Sequence, residues 1–422
     1  MSKKKKAEKP KREVTKLQLS QWQKQTRRRR LILILGISVI AAVSGIIGRG
    51  WYINQYLPMH ETVIRVNDTE FNMGYYVKML ELSGRGQPDF LPYLADQVVT
   101  AIEQNELIRQ EAERLGIVAT NSEVDEMLKQ FDPPLSKDYR DLIRNELIRS
   151  KLRDVYFDPL VPTSAEQRHI MAMFLESESQ ANEVKARLEG GEDFGALAGE
   201  LSLESLTQTE NGDLGWHPYG ILSETMGTSI PDDYAFALSV GALSQPLYDE
   251  AKTKSVGYWL VKVLDRDEEE QKFQLQVMLL GSEQEAQEVI TKLGNGEDFA
   301  TLAEELSQDS GSKDKGGDLG SVTADEINPV YKDFVLSAEP GTLSQPIKDT
   351  AVTTKGGYWL VKVLEKEDNR QIEESDRGMF KAKVLDEWVS SLWDNPENKV
   401  ESYLDNEKKA WAIEQAMKHI TI

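Results

Sequence analysis

The chain repeats itself, and the size of the repeat limits what it can fold into. Gly191-Glu192-Asp193-Phe194-Gly195-Ala196-Leu197-Ala198 returns as Gly296-Glu297-Asp298-Phe299-Ala300-Thr301-Leu302-Ala303. Gly212-Asp213-Leu214-Gly215 returns as Gly317-Asp318-Leu319-Gly320, again 105 residues later. Downstream, Leu243-Ser244-Gln245-Pro246 and Gly257-Tyr258-Trp259-Leu260-Val261-Lys262-Val263-Leu264 return 100 residues later, at 343–346 and 357–364. The first copy is therefore five residues longer in its middle. A period near 100 residues is the size of a domain rather than of a solenoid repeat, so two like modules follow one another. In each, Phe and Leu of Gly-Glu-Asp-Phe-x-x-Leu-Ala fall at helical spacing and read as core. His169–Leu175 is apolar on both alternations, as a central strand is, and the closing Gly-Tyr-Trp-Leu-Val-Lys-Val-Leu is β-branched and aromatic. Strand, helices, Gly-rich turn, short helix and strand make an α+β module with a small sheet.

The flanks are helical. Leu94, Val98, Ile102, Ile108, Ala112 and Leu115 keep near-helical spacing, and Gly116 supplies a left-handed cap. Thr120-Asn121-Ser122-Glu123 is a capping box opening a helix with Val124, Met127, Leu128 and Phe131 on one face, stopped by Pro133-Pro134. A third helix is expected around 136–154, and Thr62–Val66 reads as a short strand. Near the C-terminus Phe380, Val384, Trp388 and Leu392 form a stripe, widened by Leu385 and Val389, that must be buried. Packing into the N-terminal helical region would close one domain from both chain ends. The alternative occupant of that face is a second copy, in a homodimer.

Charge is distributed unevenly. Residues 1–30 hold 13 Lys or Arg against two acids, within a chain of net charge -21, so the rest is strongly acidic. Such a body argues against nucleic acid, whose phosphates need cations. Leu31–Ile47 is uncharged, Arg49 follows, and Trp51 and Tyr52 stand at interface depth. A run near 20 residues is what a helix needs to cross a bilayer, and the basic flank would keep the tail in the cytoplasm. The reading is an uncleaved anchor, 31–52, behind a basic tail, 1–30. A cleaved signal peptide is the alternative, with Ala42-Val43-Ser44-Gly45 as a weak cleavage site. With no cysteine, disulfides, thiolate chemistry and a lipid-modified Cys are excluded, and four His make a His-based triad or zinc site improbable.

The run Gly296–Gly320, GEDFATLAEELSQDSGSKDKGGDLG, together with GTLSQPI and GYWLVKV further on, resembles the heart of a parvulin-type, PpiC-like peptidyl-prolyl isomerase. Glu106–Leu128 is similar to the chaperone domain of PrsA- and SurA-type foldases. The resemblance implies a helical domain over 53–163 completed by C-terminal helices in 369–422, and parvulin-like domains at 164–268 and 269–368. It implies an activity, isomerisation of X–Pro bonds in unfolded, exported polypeptides, on the extracytoplasmic side of the cell membrane. That reaction twists a bond whose barrier is about 18–20 kcal/mol and makes or cuts none, so no nucleophile, cofactor or metal is expected. An apolar pocket with one or two placed polar groups suffices.

Carried over position by position, the resemblance assigns Asp309 as pocket acid in the second copy, with Leu319, Phe334 and Trp359 lining the client site. In the first copy the equivalents are Glu204, Leu214, Phe236 and Trp259. From the residues alone, Asp309 equally suits a turn cap, the leucines equally suit core, and the tryptophans suit core or pocket wall. The chain departs from the family at its His pair. Ala172 and Val277 stand on the first strands and Trp259 and Trp359 on the last, while His169, three residues early, is expected off the site. The alternative function is a non-catalytic holdase, the second copy being the better candidate for activity.

Overall fold

The computed structural model describes residues 43–267 and 272–420 and scattered positions between 33 and 41. The basic tail and part of the run expected to span a membrane lie outside the described residues; among the described residues no helix is long and apolar enough to cross one. Two compact units result, one from residues before Tyr156 and after Val384, the other continuous from Tyr156 to Val384.

In the first unit, β1 (Thr62–Val66) pairs with β2 (Thr69–Asn72) and, from the far end of the chain, with β11 (Val400–Ser402). Helices α1 (Met73–Gly84), α2 (Leu91–Arg114), α3 (Asn121–Gln130) and α4 (Arg140–Lys151) follow β2, and α14 (Asn406–Ile420) packs on α1 and α2. The caps are local chemistry. The Asn72 side chain accepts from Tyr75 N, and Thr120 and Glu123 exchange backbone and side-chain bonds as a capping box. Lys151 and then the Thr120 amide and hydroxyl hold the Glu123 carboxyl down at about 2. Gly116 takes φ +76° beyond α2, where Ile117 N returns to Ala112 O.

The second unit carries both copies. The first runs β3 (Ser164–Leu175), α5 (Glu178–Glu189), α6 (Phe194–Leu201), α7 (Ser205–Thr209), β4 (Asp213–Pro218), α8 (Ile221–Met226), α9 (Ile230–Ala237) and β5 (Leu247–Lys254). Then come β6 (Gly257–Asp267), β7 (Lys272–Leu280), α10 (Glu283–Gly294), α11 (Phe299–Leu306), β8 (Asp318–Thr323), α12 (Pro329–Ser337), β9 (Ile347–Asp349), β10 (Thr354–Gln371) and α13 (Glu374–Asp394). Asp193 and Asp298 cap α6 and α11 through the amides of Ala196 and Thr301, which is why Gly-Glu-Asp-Phe recurs before each helix.

The sheets are ordered β4-β3-β10-β5 and β8-β7-β6-β9. The closing strand of each copy thus sits in the other copy's sheet: Trp359 opposes Phe174 on β3, and Trp259 opposes Leu279 on β7. We call residues 164–254 with 354–371 module A, and 257–349 module B. The boundaries expected from the repeat, 164–268 and 269–368, follow the duplication but not the sheets.

The physical reason is that the two sockets are alike. Ser244 Oγ accepts from Val361 N at 3.0 Å in module A, as Ser344 Oγ accepts from Val261 N at 2.9 Å in module B. Asp249 accepts the Trp359 indole N–H at 3.1 Å, as Asp349 accepts that of Trp259 at 3.0 Å. Where the chain crosses, the buried Lys254 ammonium donates to the carbonyls of Lys355 and Gly356, and burial pulls its pKa down. The Thr354 hydroxyl donates to Val256 O. Gly357 is required there, because a Cβ would stand 2.5 Å from the Phe174 ring.

Candidate functional site

Module B gathers most of the residues assigned to the second copy. Half-buried Leu319 and Phe334 pack against a core containing Ile327, Tyr331 and Val335. Trp359, assigned here by sequence order, is in the other module; the exchange delivers Trp259 instead, edge-on to Tyr331 at 5.5 Å. Trp259 and Trp359 are both buried, each with its indole N–H satisfied, so they act as core walls. Asp309 is half-buried, and its Oδ2 accepts from the amide (3.0 Å) and hydroxyl of Ser312. Burial, and then the Asp309 charge, push the Tyr331 hydroxyl up to about 12, so this acid faces the aromatic wall as well as capping its turn.

Glu204 does the same work in module A, where its Oε2 accepts from Thr207 N at 2.8 Å. Its other oxygen lies 3.8 Å from the Lys252 ammonium, which stands 5.8 Å from the Trp359 ring centre and donates to Met226 O. Leu214 and Phe236 are half-buried against the core that holds Trp359. Phe236, however, faces Tyr219 and the Arg168 guanidinium.

A cavity of about 760 Å³ opens beside the Gly-Asp-Leu-Gly turn of module A. Leu206, Leu214, Leu222 and Met379 supply apolar lining; Trp216, His169, Asp213, His217 and Asp376 also face it. His169, expected off the site, is corrected to a lining residue: Nε2 meets Asp213 Oδ1 at 2.8 Å and its ring stacks on Trp216. Strand β3 begins earlier than the repeat suggested, so this position still points at the turn. Glu204 and Phe236 do not line the cavity. His217, Asp376 and Met379 were not assigned from sequence. His217 directly follows Gly-Asp-Leu-Gly-Trp, a usable signal among four His, whereas Asp376 lies 159 residues away with none. The size, apolar floor and few placed polar groups suit a cavity that receives a small apolar ring on a polar backbone.

Models of the PPIC-type PPIASE domain match twice, at residues 169–265 and 275–367. The chain carries two parvulin domains. Their matched spans follow the linear repeat, each ending on the strand that folds into the other module. The chaperone SurA of Nitrosococcus oceani is 30% identical over 268 residues, 58% of this chain and 58% of that protein. The foldase protein PrsA of Caldanaerobacter subterraneus is 30% identical over 192 residues, 41% of this chain and 58% of its own. The chain thus spans little more than half the length of these relatives. A crystal structure of the peptidylprolyl isomerase PrsA from Bacillus anthracis covers 76% of this chain and 96% of its own at 12% identity, with a TM-score of 0.20, too low to argue from.

Proposed function

We propose that this chain is a membrane-anchored, extracytoplasmic prolyl isomerase and chaperone that handles unfolded, proline-containing segments of exported proteins. The observation that carries the reading is the module A cavity: an apolar floor on the parvulin turn, with polar groups at its rim. An X–Pro bond placed there leaves water for a low-dielectric wall, which disfavours the planar, dipolar amide relative to the twisted state. No proton need move, so the missing His pair does not bar the reaction. Slow X–Pro exchange, tens of seconds uncatalysed, is the step such an activity would relieve. The apolar run at 31–47 supports the anchor, and the names of the relatives support the chaperone role.

The test uses the full chain in detergent. Exchange of a cis/trans prolyl peptide faster than in buffer, lost in Leu214→Ser, is the expected result; exchange at the buffer rate rejects catalysis. One observation favours a holdase instead: Asp309 and Glu204 are already committed to capping bonds. Suppressed aggregation of an unfolded client without accelerated exchange would select that reading.

A further inference from the structure

One wall of the module A cavity does not come from the parvulin repeat. Asp376 and Met379, on the first turns of α13, line it together with Leu214 and Leu222. The helix is fastened there: Asp376 Oδ2 meets His217 Nδ1 at 2.8 Å, Met379 Sδ lies 3.9 Å from the Thr225 hydroxyl, and Lys383 pairs with Glu224 at 3.0 Å. Asp376 is 3% exposed, so this carboxylate has given up water for its partners. The other His217 nitrogen, Nε2, meets the carbonyl of Leu214 at 2.8 Å. A carbonyl and a carboxylate both accept, so both bonds form only when both ring nitrogens carry a proton. Among the described residues module B has nothing comparable. Val322 occupies the position of His217 and packs into its core, and α13 has no counterpart there.

We propose that Asp376 is a positioning residue for module A: acting through His217, it holds the Leu214 turn in place while Met379 completes the wall against the client. The proposal rests on the prolyl-client reading of this cavity. Several charged groups surround His217. Asp376 faces it from α13, and Asp232, on α9, feels its charge. Arg168 opposes it on β3 with its guanidinium engaged by Glu166 and Leu238 O, and Glu210 and Glu373 line the same cavity.

With only four His, ring-nitrogen resonances of the detergent-solubilised full chain can be assigned by substitution. Asp376→Asn, which takes the carboxylate away from Nδ1, is expected to move the His217 ring signals from their wild-type positions. For a short prolyl peptide, Asp376→Asn should raise KM about fivefold with kcat little changed, and Asp376→Glu should restore most of it. Met379→Ala, which leaves the clamp intact, should raise KM without altering the ring signal, and it stands in if Asp376→Asn does not fold. Asp376→Asn with wild-type ring signals and wild-type KM would overturn the proposal. If the wild type catalyses no exchange, the isomerase reading fails by itself; calorimetric peptide binding by the same variants then decides this one.

Discussion

Asp232 shows how a single buried charge reads out in solution. It is fully buried; Ser223 donates to one oxygen through both its amide and its hydroxyl at 2.6 Å, and the other oxygen has no partner among the described residues. Burial raises the carboxyl, and the bonds from Ser223, the Gly220 backbone and the His217 charge recover only part of that shift. A folded state that holds its proton more tightly than the unfolded chain gains stability from this site below the ordinary Asp value of about 3.9. That gain is lost as pH rises through the raised value. Asp232→Asn keeps an oxygen for Ser223 and removes the titration. Its melting temperature should therefore rise relative to wild type as pH climbs from the ordinary Asp value through the raised one, and parallel curves would contradict the account. Residues of this kind were hard to read in the sequence for a common reason. Asp309 and Glu204 stood out as acids at matching positions, but an acid three residues before a helical amide caps it whatever else it does. Asp232 and Asp376 acquire their character only from what folds over them.

At the scale of elements, much more was legible. The Asp-capped helices α6 and α11, the capping box before α3 and the glycine turns were visible because each is specified within a few residues. Gly317 and Gly320 separate the two reasons for a conserved-looking turn within this one chain. Gly317 has φ +79°, and a Cβ there would stand 2.4 Å from Val277 O on the neighbouring strand. Gly320 has φ +70°, but its Cβ would meet open space. Gly320→Ala should therefore cost about 1–2 kcal/mol, the left-handed strain alone. Gly317→Ala adds a backbone clash and should cost about 3 kcal/mol or more, measured by denaturant unfolding of the full chain. Equal costs would mean that the close approach is not real. What the elements did not reveal is which strand joins which sheet. Gly-Tyr-Trp-Leu-Val-Lys-Val-Leu occurs twice, and Ser244 and Asp249 offer one copy what Ser344 and Asp349 offer the other. Local pattern is then silent, and the pairing is set by how the connections run. The same ambiguity moved Trp259 and Trp359 from the modules to which sequence order assigned them.

On the scale of the whole molecule, the exchange turns a tandem array into a nested one. Module B is a continuous segment whose ends meet, since Gly257 and Asp349 are strand partners. It interrupts module A between Lys254 and Thr354, which are also partners. The second unit, holding both modules, in turn interrupts the first, whose sheet is completed by β11 after residue 399. Module B leaves and returns through adjacent strands, the condition under which an insertion leaves its host's sheet intact. An unexchanged chain would satisfy the same hydrogen bonds within each copy, so the two topologies differ in which strands become neighbours. Because the chain has no cysteine, this difference can be read directly. Ala172 and Val361 are partners on β3 and β10, both fully buried on one face of module A, while Val277 is paired with Val261. Ala172→Cys with Val361→Cys should cross-link on mild oxidation, which needs Cβ atoms about 3.5–4.5 Å apart. Val277→Cys with Val361→Cys should not, although in an unexchanged chain that pair would be the one in register. A cross-link from the second pair and none from the first would return each closing strand to its own copy, and the nested architecture with it.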